Sequence, residues 1–93
     1  MRCSLIIPAY NSAKTIEVCL QTALVQSLPR EEHEIIVVDD GSADQTFNIV
    51  KDYPVKVIRQ DNRGPASARN MGAKASQGDI LVFTDSDCEL DYR

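Results

Sequence analysis

A chain of 93 residues, 43% of them hydrophobic and 26% charged, suits one globular unit near the lower end of what folds alone. With 10 basic and 14 acidic side chains the net charge is −4, which gives no basic footprint for nucleic acid or an anionic membrane surface. Cys3, Cys19 and Cys88 form no metal spacing and read as reduced thiols in a cytoplasmic protein, without excluding membrane association of a longer parent.

Cys3–Pro8 is a short apolar run closed by proline, the pattern of a buried strand; its apolar core, Leu5–Ile7, is too short for a signal peptide or a membrane span. Ile16, Cys19, Leu20, Ala23, Leu24 and Ser27 recur at helical spacing, which predicts an amphipathic helix from about Ser12 to Leu28, capped by Asn11 or Ser12 and ended by Pro29. His33 has no partner motif and is read as structural or surface. Glu34–Asp39 is a second strand, rich in β-branched residues. Asp40-Gly-Ser42 turns the chain into a short helix at about Asp44–Asp52, with Ser42 or Asp44 as its cap and Phe47 and Val50 on its buried side.

Val55–Ile58 is a third strand. Gly64-Pro65 opens a third helix, where a missing N–H costs nothing, and Gly78 stops it. Ala66, Ala68, Ala73 and Ala75 let that helix approach a sheet closely. Asp79–Thr84 is the fourth strand. Strict alternation with short connections predicts a three-layer α/β/α unit, a Rossmann-like half domain with a parallel sheet in the order 3-2-1-4. Ligands in such sheets bind beyond the carboxyl ends of the strands, where the order reverses; here that point holds Pro8–Asn11 and Asp85–Asp87.

Polar and acidic residues follow three of the four strands: Asn11, then Asp39 and Asp40, then Asp85-Ser86-Asp87. Carboxylates on one rim repel unless a cation or donor ligand lies between them. A pair flanking one residue at a strand end reaches one divalent ion, and Mg²⁺ or Mn²⁺ prefers such oxygen ligands with a diphosphate completing the shell. Upstream, Arg59, Arg63, Arg69 and Lys74 supply a positive stretch suited to phosphate. Neither GxGxxG nor GxxxxGK[ST] is present, so the dinucleotide and P-loop readings lack their phosphate turns.

Taken together, Ile7–Asn11, Val37–Ser42 with Asp44 and Thr46, Asn62-Arg-Gly64 with Ala68–Gly72, and Phe83–Asp87 resemble the family 2 glycosyltransferases of the GT-A fold. The resemblance spans nearly the whole chain, in order and at the right spacing. It implies that Pro8, Ala9, Tyr10 and Asn11 line a nucleotide pocket. One carboxylate of Asp39 and Asp40, with Asp40 preferred, would accept the base N–H. Arg69 would serve nucleotide binding, and Asp85-Ser86-Asp87 would hold the ribose and a Mn²⁺ or Mg²⁺ ion, Asp85 and Asp87 being the metal pair. Cys88 departs from the acidic or polar residue usual there.

The implied partner is a nucleotide-diphosphate sugar, a UDP-sugar before others, with transfer by inversion to the hydroxyl of an unknown acceptor. The family's catalytic base and acceptor segments lie C-terminal to the DxD motif. Residues 1–93 are therefore expected to form a truncated nucleotide-binding subdomain with no catalytic base of its own and no transfer activity. The alternative is a non-catalytic nucleotide-binding or interaction module. A receiver-type signalling module would need its acidic pair after the first strand, and a sugar-phosphate nucleotidyltransferase a Gly- and Arg-rich loop there. Strand 1 ends instead in Pro8-Ala9 and strand 3 in Gln60-Asp61, which do not suit the first, and Tyr10-Asn11-Ser12 is not the loop needed by the second. In the order 3-2-1-4 the fourth strand is an edge, and Ile80–Phe83 carries no lysine, proline or bulge to protect it, which predicts a homodimer through that edge.

Overall fold

The computed structural model describes residues 3–24 and 33–84. Seven elements alternate along the chain: β1 (Cys3–Ala9), α1 (Ile16–Leu24), β2 (His33–Asp39), α2 (Thr46–Val50), β3 (Lys56–Arg59), α3 (Pro65–Ala75) and β4 (Ile80–Phe83). All strand pairs are parallel and the sheet order is β3-β2-β1-β4, as the alternation predicts.

Side chains of a strand point alternately to the two faces, and the two faces build separate cores. Ile7, Ala9, Ile35 and Val37 pack with Ile16, Cys19, Leu20 and Ala23 of α1 and Val50 of α2. Ile6, Ile36 and Val38 pack on the other side with Ala68 of α3. Burying each such Ile, Leu or Val side chain stabilises the fold by about 1.5–3 kcal/mol. The third helix, rich in small residues, lies close against the sheet at Gly72, where an added Cβ would stand 2.4 Å from Ile6 Cγ2. Ala66, expected among the approach residues, faces solvent instead.

The first two helices begin later than the sequence pattern suggests. α1 starts at Ile16 rather than near Ser12, because the side chains of Asn11 and Ser12 are spent elsewhere: Asn11 Oδ1 accepts the Ala43 N–H, and Ser12 Oγ bonds the Tyr10 backbone. Residues 25–32, which include the expected end of that helix, lie outside the described residues. α2 starts at Thr46 rather than Asp44, and Asp44 Oδ1 accepts the Thr46 N–H at 3.0 Å. Pro65 opens α3 as expected.

Candidate nucleotide cleft at the strand ends

Asp39 and Asp40 are neighbours with opposite destinations. Asp39 follows Val37 to the α1–α2 face and is fully buried. Its Oδ1 accepts the Ser42 N–H at 3.2 Å and the Ser42 hydroxyl, while Oδ2 faces Arg59 Nε at 3.3 Å. Asp40 follows Val38 to the α3 face. Its Oδ1 accepts Gln60 Nε2 at 2.8 Å and the Arg63 N–H at 2.7 Å; its Oδ2 accepts the Gly64 N–H at 2.9 Å. Burial pushes the Asp40 carboxyl up, but the bonds from Gln60, Arg63 and Gly64 outweigh it and hold the group below the ordinary carboxylate value. Asp40 is therefore an anion that only accepts.

These bonds tie residues 60–64 to the end of β2. Gly41 completes the joint: its φ is +74°, and a Cβ there would meet the Asn62 nitrogen at 2.7 Å, so only glycine fits. Asn62 Nδ2 donates to the Asp40 carbonyl at 3.1 Å. On the other side, the loop after β1 is stitched to the turn after β2. Asn11 N–H donates to Ser42 Oγ at 2.9 Å, Ser12 N–H to Thr46 Oγ1 at 2.7 Å and Ala13 N–H to Asp44 Oδ2 at 3.2 Å. The Thr46 hydroxyl, helped by backbone N–H groups, holds the Asp44 carboxyl below its usual value against the upward pull of burial.

Between the two joints lies a cleft of about 630 Å³. Pro8, Ala9, Tyr10, Asn11, Ser12 and Thr15 form one wall, Asp40 and Asn62 the back, and Gly64, Pro65 and Ala68 of the α3 start the other wall. The cleft thus gathers Pro8, Ala9, Tyr10, Asn11 and Asp40 at the carboxyl ends of the strands. Asp39 points to the opposite face, and Arg69, one residue beyond Ala68, does not line the cleft. Asp85, Ser86 and Asp87 lie outside the described residues; the chain leads to them through Thr84, whose N–H donates to the Ile6 carbonyl at 3.1 Å. Ser12, Thr15, Asn62, Gly64, Pro65 and Ala68 also line the cleft and are not among the residues expected there from the sequence. The signal available was the Gly-Pro helix start, which had to face the β1 loop once strand 1 became the centre of the sheet.

Two chemical features stand out. Among the described residues, those lining the cleft include an anion, Asp40, but no lysine or arginine. Among the described residues no group of three His, Cys, Asp or Glu side chains is placed to hold a metal ion, and no helix is long and apolar enough to cross a membrane.

Comparison with known proteins agrees with this geometry. The glycosyl transferase family 2 domain matches residues 4–93. Glycosyltransferase AglE of Haloferax volcanii is 38% identical over 91 residues, covering 91% of this chain and 30% of that protein. The poly(ribitol-phosphate) β-N-acetylglucosaminyltransferase TarS of Staphylococcus aureus is 39% identical over 93 residues, covering 94% of this chain and 16% of TarS. A crystal structure of TarS in complex with UDP-GlcNAc superposes with a TM-score of 0.88 at 40% identity, over 94% of this chain and 27% of that one. The mannosyltransferase PcManGT of Pyrobaculum calidifontis, in complex with GDP-Man and Mn²⁺, superposes with a TM-score of 0.87 at 34% identity, over 92% of this chain and 27% of that one. The chain thus spans less than a third of the length of each of these relatives. The parallel sheet order and its helices match the GT-A fold of the TarS structures. On the family match across residues 4–93 and on this fold, the chain belongs to glycosyl transferase family 2.

Proposed function

We propose that the chain binds the nucleoside diphosphate of a nucleotide sugar in the cleft between the β1 loop and the start of α3, as the donor-binding part of an inverting glycosyltransferase. The observation that carries this reading is Asp40: an ionised, acceptor-only carboxylate at the back of a cleft. Its Oδ2 accepts one bond from the described residues, which leaves a lone pair for a ligand N–H. Uracil, thymine and guanine present a ring N–H on the edge opposite the sugar, whereas cytosine presents an acceptor there. Tyr10, 52% exposed, offers a ring face at the mouth of the cleft. The complexes of TarS with UDP-GlcNAc and of PcManGT with GDP-Man, at 40% and 34% identity, support the same donor classes.

Among the described residues no cation lines the cleft, so the charge of a bound diphosphate calls for balance by a further group. Asp85 and Asp87, hard oxygen donors on the segment that follows β4, fit a Mn²⁺ or Mg²⁺ ion for that task. Such an ion would stabilise the negative charge that grows on the departing diphosphate. Arg69 and Ser86 belong to this proposal as nucleotide-side residues. So does self-association through β4, whose outer edge has no partner strand among the described residues.

Calorimetry with UDP, GDP and CDP, each with Mn²⁺ and with chelator, tests the reading. UDP or GDP is expected to bind at least tenfold more tightly with metal than without, and more tightly than CDP. Equal affinity in chelator, or an unchanged response in Asp87→Asn, would remove the metal assignment; no preference over CDP would remove Asp40 as the base acceptor.

A further inference from the structure

Asn11 holds a backbone φ of +49°, the one positive value outside glycine among the described residues. This left-handed conformation costs a non-glycine residue free energy, and asparagine tolerates it better than most. Two bonds hold it there: its N–H donates to Ser42 Oγ at 2.9 Å, and its Oδ1 accepts the Ala43 N–H at 2.8 Å. The conformation matters because Tyr10 and Asn11 form the cleft wall opposite Gly64 and Pro65.

The acceptor on Ser42 is itself oriented. Ser42 gives its hydroxyl proton to Asp39 Oδ1, so its lone pairs turn to the Asn11 N–H. Asp39 is 0% exposed, and its second oxygen, Oδ2, accepts no hydrogen bond. Arg59 is the cation beside that oxygen, with Nε at 3.3 Å, an ion pair without hydrogen-bond alignment. The same guanidinium donates from Nη2 to the Ser42 carbonyl at 3.1 Å and lies 4.8 Å from the centre of the Phe47 ring. Cation and ring fix each other, so the guanidinium is held in place although half the side chain is in solvent. Arg59 and Asp39 are also register partners in adjacent strands, which sets their separation through the sheet itself.

We propose that Arg59, which lines no part of the cleft, is a positioning residue for nucleotide binding: through Asp39 and Ser42 it holds Asn11 and Tyr10 in the left-handed turn that shapes one wall. This rests on the reading of the cleft as a nucleotide site. The line of action crosses the sheet edge from β3 to β2 to the β1 loop, each step being a contact already described. Arg59→Lys keeps a charge but loses the planar fork, so one ammonium cannot hold both the Asp39 Oδ2 contact and the Ser42 carbonyl bond, and Asp39 is left to the Ser42 hydroxyl and N–H. Ser42 shifts, and the Asn11 N–H loses its fixed acceptor.

Two measurements on the full chain test this. Amide hydrogen exchange in Arg59→Lys and Ser42→Ala should speed at Asn11 and Ala43 by tenfold or more, while Ile6 and Ile36, in the core under α3, keep their protection. UDP or GDP affinity in the presence of Mn²⁺ should fall about tenfold in the same variants. It should also fall in Asn11→Leu, which cannot hold the left-handed turn, and recover to within about threefold in Asn11→Gly, which can. Placing Ser42→Ala on the Asn11→Gly background should add less than its effect alone, because both act through one turn. Unchanged exchange at Asn11, or faster exchange with unchanged affinity, would overturn the positioning role. Equal losses in Asn11→Gly and Asn11→Leu would overturn it too. Failure of the unaltered chain to bind either nucleotide would instead defeat the nucleotide reading, with the exchange result still reporting whether Arg59 holds the turn. If Ser42→Ala does not fold, Arg59→Lys and the exposed Asn11 variants carry the test.

Discussion

The rim where β1 and β2 end and the outer strand β4 are built from opposite materials. At the rim, Asn11, Asp39, Asp40, Ser42, Asp44 and Thr46 bond one another or neighbouring backbone, and almost every polar atom has a use. Along β4, Ile80, Leu81, Val82 and Phe83 are each 40–46% exposed, apolar on both faces, and among the described residues pair with β1 alone. One region spends polar groups to fix a shape; the other keeps apolar surface in reserve. The contrast teaches that the cleft is preorganised from within the described residues, whereas the β4 side offers surface for further contact.

Asp40→Ala is the strongest way to break the rim. It removes the acceptor for Gln60, Arg63 and Gly64 at once and should cost about 2–4 kcal/mol of stability. Nucleotide affinity should fall by more than a hundredfold; chemical denaturation and calorimetry read the two losses. Asp39→Asn is milder, because one amide oxygen can still serve Ser42 while the charge opposite Arg59 is gone. A loss of about 1–2 kcal/mol is expected. If Asp39→Asn weakened the protein more than Asp40→Ala, the fully buried carboxylate, not the cleft one, would be the keystone of the rim.

The approach to β4 is pinned from the far end of the sheet, and that can be titrated. Glu34 Oε2 accepts the Ser4 hydroxyl and the Gln77 N–H, both at 2.6 Å, and Ser4 Oγ accepts the Gly78 N–H at 2.9 Å. Burial raises the Glu34 carboxyl, but Ser4, Gln77 and Lys56 together bring it below its ordinary value of 4.5. A depressed folded value means the stabilisation is complete above the ordinary value and is lost as pH falls through the lower, folded one. Glu34→Gln should therefore be less stable at neutral pH by about 1 kcal/mol and show a shallower loss on acidification below pH 4.5. An unchanged acid limb, followed by circular dichroism, would show that Glu34 is not among the groups that set it.

Val82→Lys carries the smallest expected effect on stability, under about 0.5 kcal/mol, because the side chain is already half in solvent. Its effect on association should be clear. Light scattering at micromolar concentration is expected to show a dimer for the unaltered chain and a monomer for the variant, since a lysine protects an edge. A monomer in both cases would remove self-association through β4.

Much of this was legible in the chain itself. Apolar runs of two periods, broken by Pro29, Gly64-Pro65 and Gly78, determine four strands and three helices, and right-handed crossovers then leave the order 3-2-1-4. Even the split between Asp39 and Asp40 was latent in the alternation of Val37 and Val38, since neighbours on a strand must face opposite ways. Helix starts were less legible. The hydroxyl and amide groups of Asn11 and Ser12 have local partners available, and only the folded chain brings Ala43 and Thr46, more than thirty positions away, close enough to compete for that loop.

The sequence by itself thus determined the layers, the strand order and the rim at which Pro8–Asn11 and Asp40 gather, because those follow from periodicity and chirality along a short stretch of chain. The tertiary structure alone decided which carboxylate faces the cleft and which is buried against Arg59. It also decided that Arg69 stands outside the lining and that Asn11 is held in a left-handed turn. Each of those depends on where distant backbone donors fall, and a hydrogen bond's reach of about 3 Å is far finer than any pattern of apolar residues can specify.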